Sequence, residues 1–161
     1  AIDGGYKCTC TSPTLKDGSH TISVKASDND GNAAAAKTAT FTVDTVPPTL
    51  QITAPSNDLI TNKKTVTVSG KTDDVSSKPV TVTVNGATVT VGTDGTFTKD
   101  VTLAEGANTI TIVAKDKAGK TTTVTRKVTV DTSAPVIKSV TLTPNPVDCG
   151  KTFIIAVEIT D

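Results

Sequence analysis

Asp28-Asn29-Asp30-Gly31-Asn32 is the stretch of this chain best suited to chemistry. Two carboxylates one residue apart, with a glycine behind them, gather hard oxygens around a tight turn, as the first positions of a calcium loop do. The same residues suit a plain polar turn, because Asp, Asn and Gly accept left-handed or side-chain-bonded backbone geometry without a metal. A full calcium loop would continue to a bidentate glutamate, and none follows. Further oxygens must then come from elsewhere, from Asp44 or Asp58. The candidate calcium ligands are Asp28, Asp30 and Asp44, and no other cofactor is expected. The matching stretch Asp116-Lys117-Ala118-Gly119 places a cation where a ligand would stand.

Other chemistries are poorly served. His20 is the sole histidine, between Ser19 and Thr21 on a face expected to point outward. No cluster of Asp, Ser and His offers a nucleophile with its base, so no enzyme is expected. A sugar platform would need exposed aromatics. Strand alternation turns Phe41, Phe97 and Phe153 inward, and Tyr6 aligns with Phe97. Cys8 and Cys10 share one strand face, where a mutual disulfide would be strained, which leaves unpaired thiols, a bridge to Cys149 or an intermolecular one. A formal net charge of zero over 161 residues gives no basic surface for nucleic acid or an anionic membrane. No apolar run approaches the ~20 residues of a membrane-spanning helix.

The elements that must position these residues are strands. The chain is rich in Val, Ile and Thr and lacks Trp and Met. β-branched side chains fit a pleated surface, and no window keeps a helical period. Period-two alternation places Leu50, Ile52, Val66, Val68, Val80, Val82, Val84, Val89, Val91, Phe97, Val101, Leu103, Ile110, Ile112, Ala114, Val124, Val128 and Val130 on inward faces. Asn85-Gly86 predicts a two-residue hairpin with positive φ at both positions. Seven or so short strands, with a turn every 8–12 residues, predict an all-β sandwich. Arg126 shares the inward parity of the last strand, so either a bulge shifts it or it lies at an exposed end.

The chain also repeats itself. Asp17–Asn32 aligns with Glu105–Lys120, setting Gly18 on Gly106, Ile22 on Ile110, Asp28 on Asp116 and Gly31 on Gly119. Both copies run on to an Asp-Thr phrase followed by proline: Asp44-Thr45 with Pro47-Pro48, and Asp131-Thr132 with Pro135. Leu50–Asp73 likewise resembles Ile137–Asp161. The order is therefore second half, whole unit, first half, with divisions at 1–45, 46–132 and 133–161. Proline restricts φ and its predecessor, so the links are short and semi-rigid.

Strands ending Ala26-Asp28-Gly31-Asn32 and Ala114-Asp116-Gly119-Lys120, each running to Val-Asp-Thr and proline, resemble the bacterial immunoglobulin-like repeats of adhesins, surface-attached enzymes and phage tail proteins. The resemblance implies immunoglobulin-like β-sandwich modules in tandem: the C-terminal half of one, a complete one, and the N-terminal half of a third. It implies an extracellular, cell-surface or virion location and a structural or adhesive task, a spacer that positions other domains. The rival expectation is an accessory module that binds a glycan or protein ligand. The expected partners are adjacent modules of the same or a neighbouring chain, and a cell-surface glycan or protein. Some arrays of this kind hold calcium near their junctions on aspartates. The end segments are expected to belong to a longer array, to pair with another element, or to complete each other between chains by strand donation.

Overall fold

The computed structural model describes residues 11–143, 145–146 and 149–161. Tyr6, Cys8 and Cys10 lie outside them. Among the described residues, every regular element is a strand.

Residues 46–132 form a sandwich of two sheets. In chain order its strands are β3 (Thr49–Ala54), β4 (Leu59–Thr61), β5 (Thr65–Asp73), β6 (Thr81–Val84), β7 (Ala87–Val89), β8 (Thr96–Thr102), β9 (Gly106–Lys115) and β10 (Thr121–Val130). One sheet runs β3-β5-β8 and the other β4-β10-β9-β6-β7. Alternation along β5 and β9 buries every second residue, and the two inner faces meet in one core. That core comprises Val66, Val68, Val82, Val84, Val89, Phe97, Leu103, Ile110, Ile112, Ala114, Val128 and Val130, flanked by half-buried Leu50, Ile52, Val80, Val91 and Val101. Strand parity places each of these inward, and partly buried Leu59 packs against the same core without that mark.

The Asn85-Gly86 hairpin has φ of 48° and 81°, the positive pair such a turn requires. Asn85 also extends the ladder sideways, since Thr111 N–H donates to Asn85 Oδ1 (2.8 Å) and Asn85 N–H to Thr111 O (2.8 Å). Arg126 is not displaced by a bulge in its own strand, because β10 pairs with β9 without interruption through Arg126 and Ile110. The irregularity lies in β3, between Ile52 and Ala54. There the half-buried guanidinium donates to Pro55 O (3.1 Å) and Ile52 O (3.4 Å), and on its own strand to Thr125 O (3.2 Å). Backbone carbonyls satisfy a cation that would otherwise be costly to bury.

Gly70 on β5 lies under Phe97. A Cβ there would stand 2.5 Å from Gln51 O and 2.8 Å from Phe97 Cζ, so the rigid β3 backbone and the core ring would both have to move. Gly70→Ala is expected to cost about 1–3 kcal/mol, the usual range for overpacking. The check is a denaturant midpoint that falls with unchanged slope.

The flanking segments are hairpins. β1 (Gly18–Val24) pairs antiparallel with β2 (Lys37–Val43), and β11 (Val136–Thr143) with β12 (Ile154–Thr160). Ile22, Val24, Val140, Leu142, Val157 and Ile159 stay exposed on them. The inward parity of Phe41 and Phe153 therefore does not bury them among the described residues. They remain 37% and 50% exposed, against 3% for Phe97, because no second sheet covers their hairpins here. Cys149 is exposed and unpaired.

Candidate metal centre at the module joint

The repeated Asp-Thr phrase divides its work between its two residues. Thr45 faces back to its own unit, giving its N–H (3.1 Å) and its hydroxyl (3.0 Å) to Asp17 Oδ1. Thr132 does the same with Glu105, at 2.8 Å from N–H to Oε1 and 2.7 Å from hydroxyl to Oε2. The backbone and hydroxyl of Thr132 hold the Glu105 carboxyl below its ordinary range. That clamp is complete at neutral pH and is lost as pH falls through the lowered value.

The aspartate faces forward. Asp44 follows β2 and uses Oδ1 to accept the Val46 N–H (3.1 Å), which turns the chain into Pro47-Pro48. Pro48 is fully buried, and its carbonyl accepts the Thr122 hydroxyl. The chain thus enters the sandwich beside the end of β5, where Thr49 pairs with Asp73. The next residue, Asp74, uses Oδ1 to accept the N–H groups of Ser76 (2.8 Å) and Ser77 (2.7 Å). Asp116, just past β9, uses Oδ1 for the Lys120 N–H (2.8 Å). Ser77 binds the two loops together, its carbonyl accepting Lys117 N–H (3.2 Å) and its hydroxyl Ala118 N–H (2.9 Å).

The outcome is a buried trio. Asp44, Asp74 and Asp116 each offer a carboxylate oxygen within 4.8 Å of the others. Asp44 is 9% exposed, and Asp74 and Asp116 are each 5% exposed. Oδ2 of Asp44 and Oδ2 of Asp116 are buried with no hydrogen-bond partner. Buried polar atoms are nearly always paired, so two orphans in one cluster mark a place where something positive fits. Like charges 4 Å apart repel by about 4 kcal/mol at an effective dielectric of 20, so three bare carboxylates strain the joint. A cavity of about 370 Å³ opens beside them, lined by Thr42, Asp44, Ser76, Ser77, Lys78, Lys117 and Ala118. Hard, anionic, all-oxygen donors suit calcium, which accepts an irregular shell completed by water. Zinc prefers nitrogen and sulfur, and magnesium demands a stricter octahedron.

Of the three ligands expected from sequence, the structure brings only Asp44 here. Asp28 and Asp30 sit at the other end of the β1–β2 hairpin, since Gly18 pairs with Val43 and Val24 with Lys37. Six strand steps put about 20 Å between the two ends. Asp28 instead closes its own turn, accepting N–H groups from Asp30 (3.1 Å) and Asn32 (2.7 Å) on Oδ1. Asp58, the other source of oxygens considered, is exposed and accepts the Asn57 amide (2.7 Å). Asp74 and Asp116 are the candidate ligands that sequence reasoning missed. The signal for Asp116 is the repeat itself, which aligns it with Asp28, although Lys117 beside it stands where a ligand would be expected. Lys117 lines the cavity, and Asp116 Oδ2 is left without a hydrogen-bond partner.

His20 is half-buried, not outward. Its ring lies 5.6 Å from that of Phe41, and its Nε2 stands 2.7 Å from Lys16 O. Asn108, its repeat counterpart, donates to Ala104 O (2.8 Å) in the same way. Both copies thus use this side chain to close a turn.

Two sheets packed face to face, antiparallel except for the β4–β10 pair and fed through a proline link, define an immunoglobulin-like β-sandwich module in a tandem chain. Residues 48–132, just over half of the chain, match the family model described as "Glucodextranase, domain B", and the chain belongs to that family. Residues 2–45 match the model described as "Bacterial Ig-like domain". Bacillopeptidase F of Bacillus subtilis (strain 168) is 34% identical over 123 residues, which is 76% of this chain. The chain spans 8% of the length of that relative. Among solved structures, the fibronectin(III)-like modules of Clostridium thermocellum CbhA align at 21% identity and a TM-score of 0.42, covering 71% of this chain and 63% of theirs. A tetra-tandem repeat from the extending region of a large adhesion protein aligns at 24% identity and a TM-score of 0.45, covering 88% of this chain and 45% of its own.

Proposed function

We propose that this chain is a non-catalytic extracellular spacer, part of a bacterial surface or phage tail protein, whose joint between residues 1–45 and 46–132 is stiffened by calcium. The observation that carries this reading is the buried trio at the joint. Asp44 belongs to the incoming unit, whereas Asp74 and Asp116 belong to the sandwich. A divalent cation among them would neutralise the repulsion and tie the link to both loops. Asp44, Asp74 and Asp116 hold the cation. The Ser77 N–H orients Asp74 and the Val46 N–H orients Asp44. Neighbouring modules, of the same chain or another, cover the apolar faces of the β1–β2 and β11–β12 hairpins, since two-stranded sheets are marginal alone.

The test is calcium titration of the 161-residue chain. Calorimetry is expected to show one binding event, and a calcium excess of a hundredfold over its dissociation constant is expected to stabilise the module by about 2.7 kcal/mol. No heat, together with a melting temperature identical in calcium and in chelator, sinks the reading.

A second reading, a ligand-binding accessory module, rests on a hollow of about 300 Å³ lined by apolar Pro79, Val80 and Val91 beside Asp73, Lys78 and Asp94. Lys78 Nζ is already 2.8 Å from Asp73 there, which favours the spacer. A glycan array with no hits removes the glycan form of this alternative.

A further inference from the structure

The two copies of the turn after the long strand have one backbone and two fates. Asp28 N–H donates to Asn32 O (3.0 Å) and Gly31 N–H to Asp28 O (3.2 Å); Asp116 N–H donates to Lys120 O (3.1 Å) and Gly119 N–H to Asp116 O (3.3 Å). Gly31 and Gly119 share φ near 90°, at 88° and 92°. In both copies the fourth residue after the aspartate gives its N–H to Oδ1, at 2.7 Å from Asn32 and 2.8 Å from Lys120.

They part at Oδ2. Asn32 Nδ2 donates to Asp28 Oδ2 at 2.8 Å, so the first carboxylate is bonded on both oxygens within its own turn. The Asn32 amide is the main reason that the Asp28 carboxyl lies below its ordinary range, so this bond favours the anion without any metal. Lys120 carries no such short amide, and its side chain is exposed. Asp116 Oδ2 is left buried and unpartnered, in reach of Asp44 and Asp74.

We infer that residue 120 sets whether this joint takes a divalent cation: Lys120 leaves the Asp116 carboxylate open to it, and asparagine at this place, as at position 32, closes the carboxylate with its own amide. The inference rests on the cation reading of the joint and assigns its specificity to one side chain outside the cluster. The turn that begins with Asp28 is thus self-sufficient, and the one that begins with Asp116 is completed by a cation.

Lys120→Asn and Lys120→Ala, in the 161-residue chain, separate the two effects of that side chain. Both remove a positive charge, which by itself leaves calcium binding unchanged or tighter. Only asparagine adds the amide. With calcium chloride as the probe, Lys120→Asn is expected to lose at least tenfold in affinity relative to Lys120→Ala, and to melt higher than it in chelator. The chelator melt also reports that the variant folds, and the turn already accepts asparagine at position 32. Equal calcium affinity in the two variants overturns the inference while leaving the joint reading intact. A wild-type chain with no calcium response removes the joint reading and this inference together.

Discussion

Ile110→Ala is expected to cost the central module about 2–5 kcal/mol, the range for emptying a large aliphatic site that cannot collapse. Ile110 is fully buried on β9, a strand flanked by β10 on one side and β6 on the other. The flanking strands are themselves held on both edges, β10 between β4 and β9 and β6 between β9 and β7, so the cavity stays open. The core has a single aromatic, Phe97, and is otherwise built of small β-branched and aliphatic side chains with little capacity to swing into a hole. A domain of this size is stable by only about 5–15 kcal/mol, so the loss is a large part of the whole. Ile22 is the control, because it occupies the same repeat position but is 51% exposed. Ile22→Ala is expected to change stability by no more than about 0.5 kcal/mol. Chemical denaturation of both variants gives the comparison, and equal losses would show that the first hairpin is covered in solution.

Asp74→Asn is expected to reverse its sign with calcium. The asparagine keeps an acceptor for the Ser76 and Ser77 N–H groups, so the loop survives, but it removes one of three mutually repelling charges. In chelator the variant should therefore melt above the wild type. With calcium at a hundred times the wild-type dissociation constant, the wild type gains about 2.7 kcal/mol that the variant lacks, and the order inverts. Two melts per protein check this. A variant below the wild type in both conditions would make Asp74 a loop-closing residue with no part in a cation site.

The sandwich core was legible because strand parity is a local rule: Val66, Val82, Ile110 and Val128 announce their faces through their immediate neighbours. The short strand β4 was not. Leu59-Ile60-Thr61 is three residues long, and what makes it a strand is a parallel pairing with Val128–Val130, far along the chain. Arg126 keeps its inward parity despite its charge for a related reason, since its partners are carbonyls at the irregularity of β3. The proposed cation site was half legible. Asp44 announced itself by recurring before proline, and Asp116 by aligning with Asp28. That Asp44 meets Asp116 and not Asp28 follows from which end of each strand faces the link, a property of topology and not of spacing. Asp74 had no sequence mark beyond ending a strand.

The β4–β10 pairing has a consequence for a chain under tension. β4 lies near the entry to the sandwich and β10 at its exit, and they run parallel, with Leu59 beside Val128 and Thr61 beside Val130. Pulling the two ends apart drags β4 toward its start and β10 toward its finish, so the strands slide past one another. Their bonds, with the Asp131 N–H to Thr61 O contact (2.9 Å) beside them, bear the load together instead of parting one at a time. The three residues of β4 sit where a stretched molecule would be tested first.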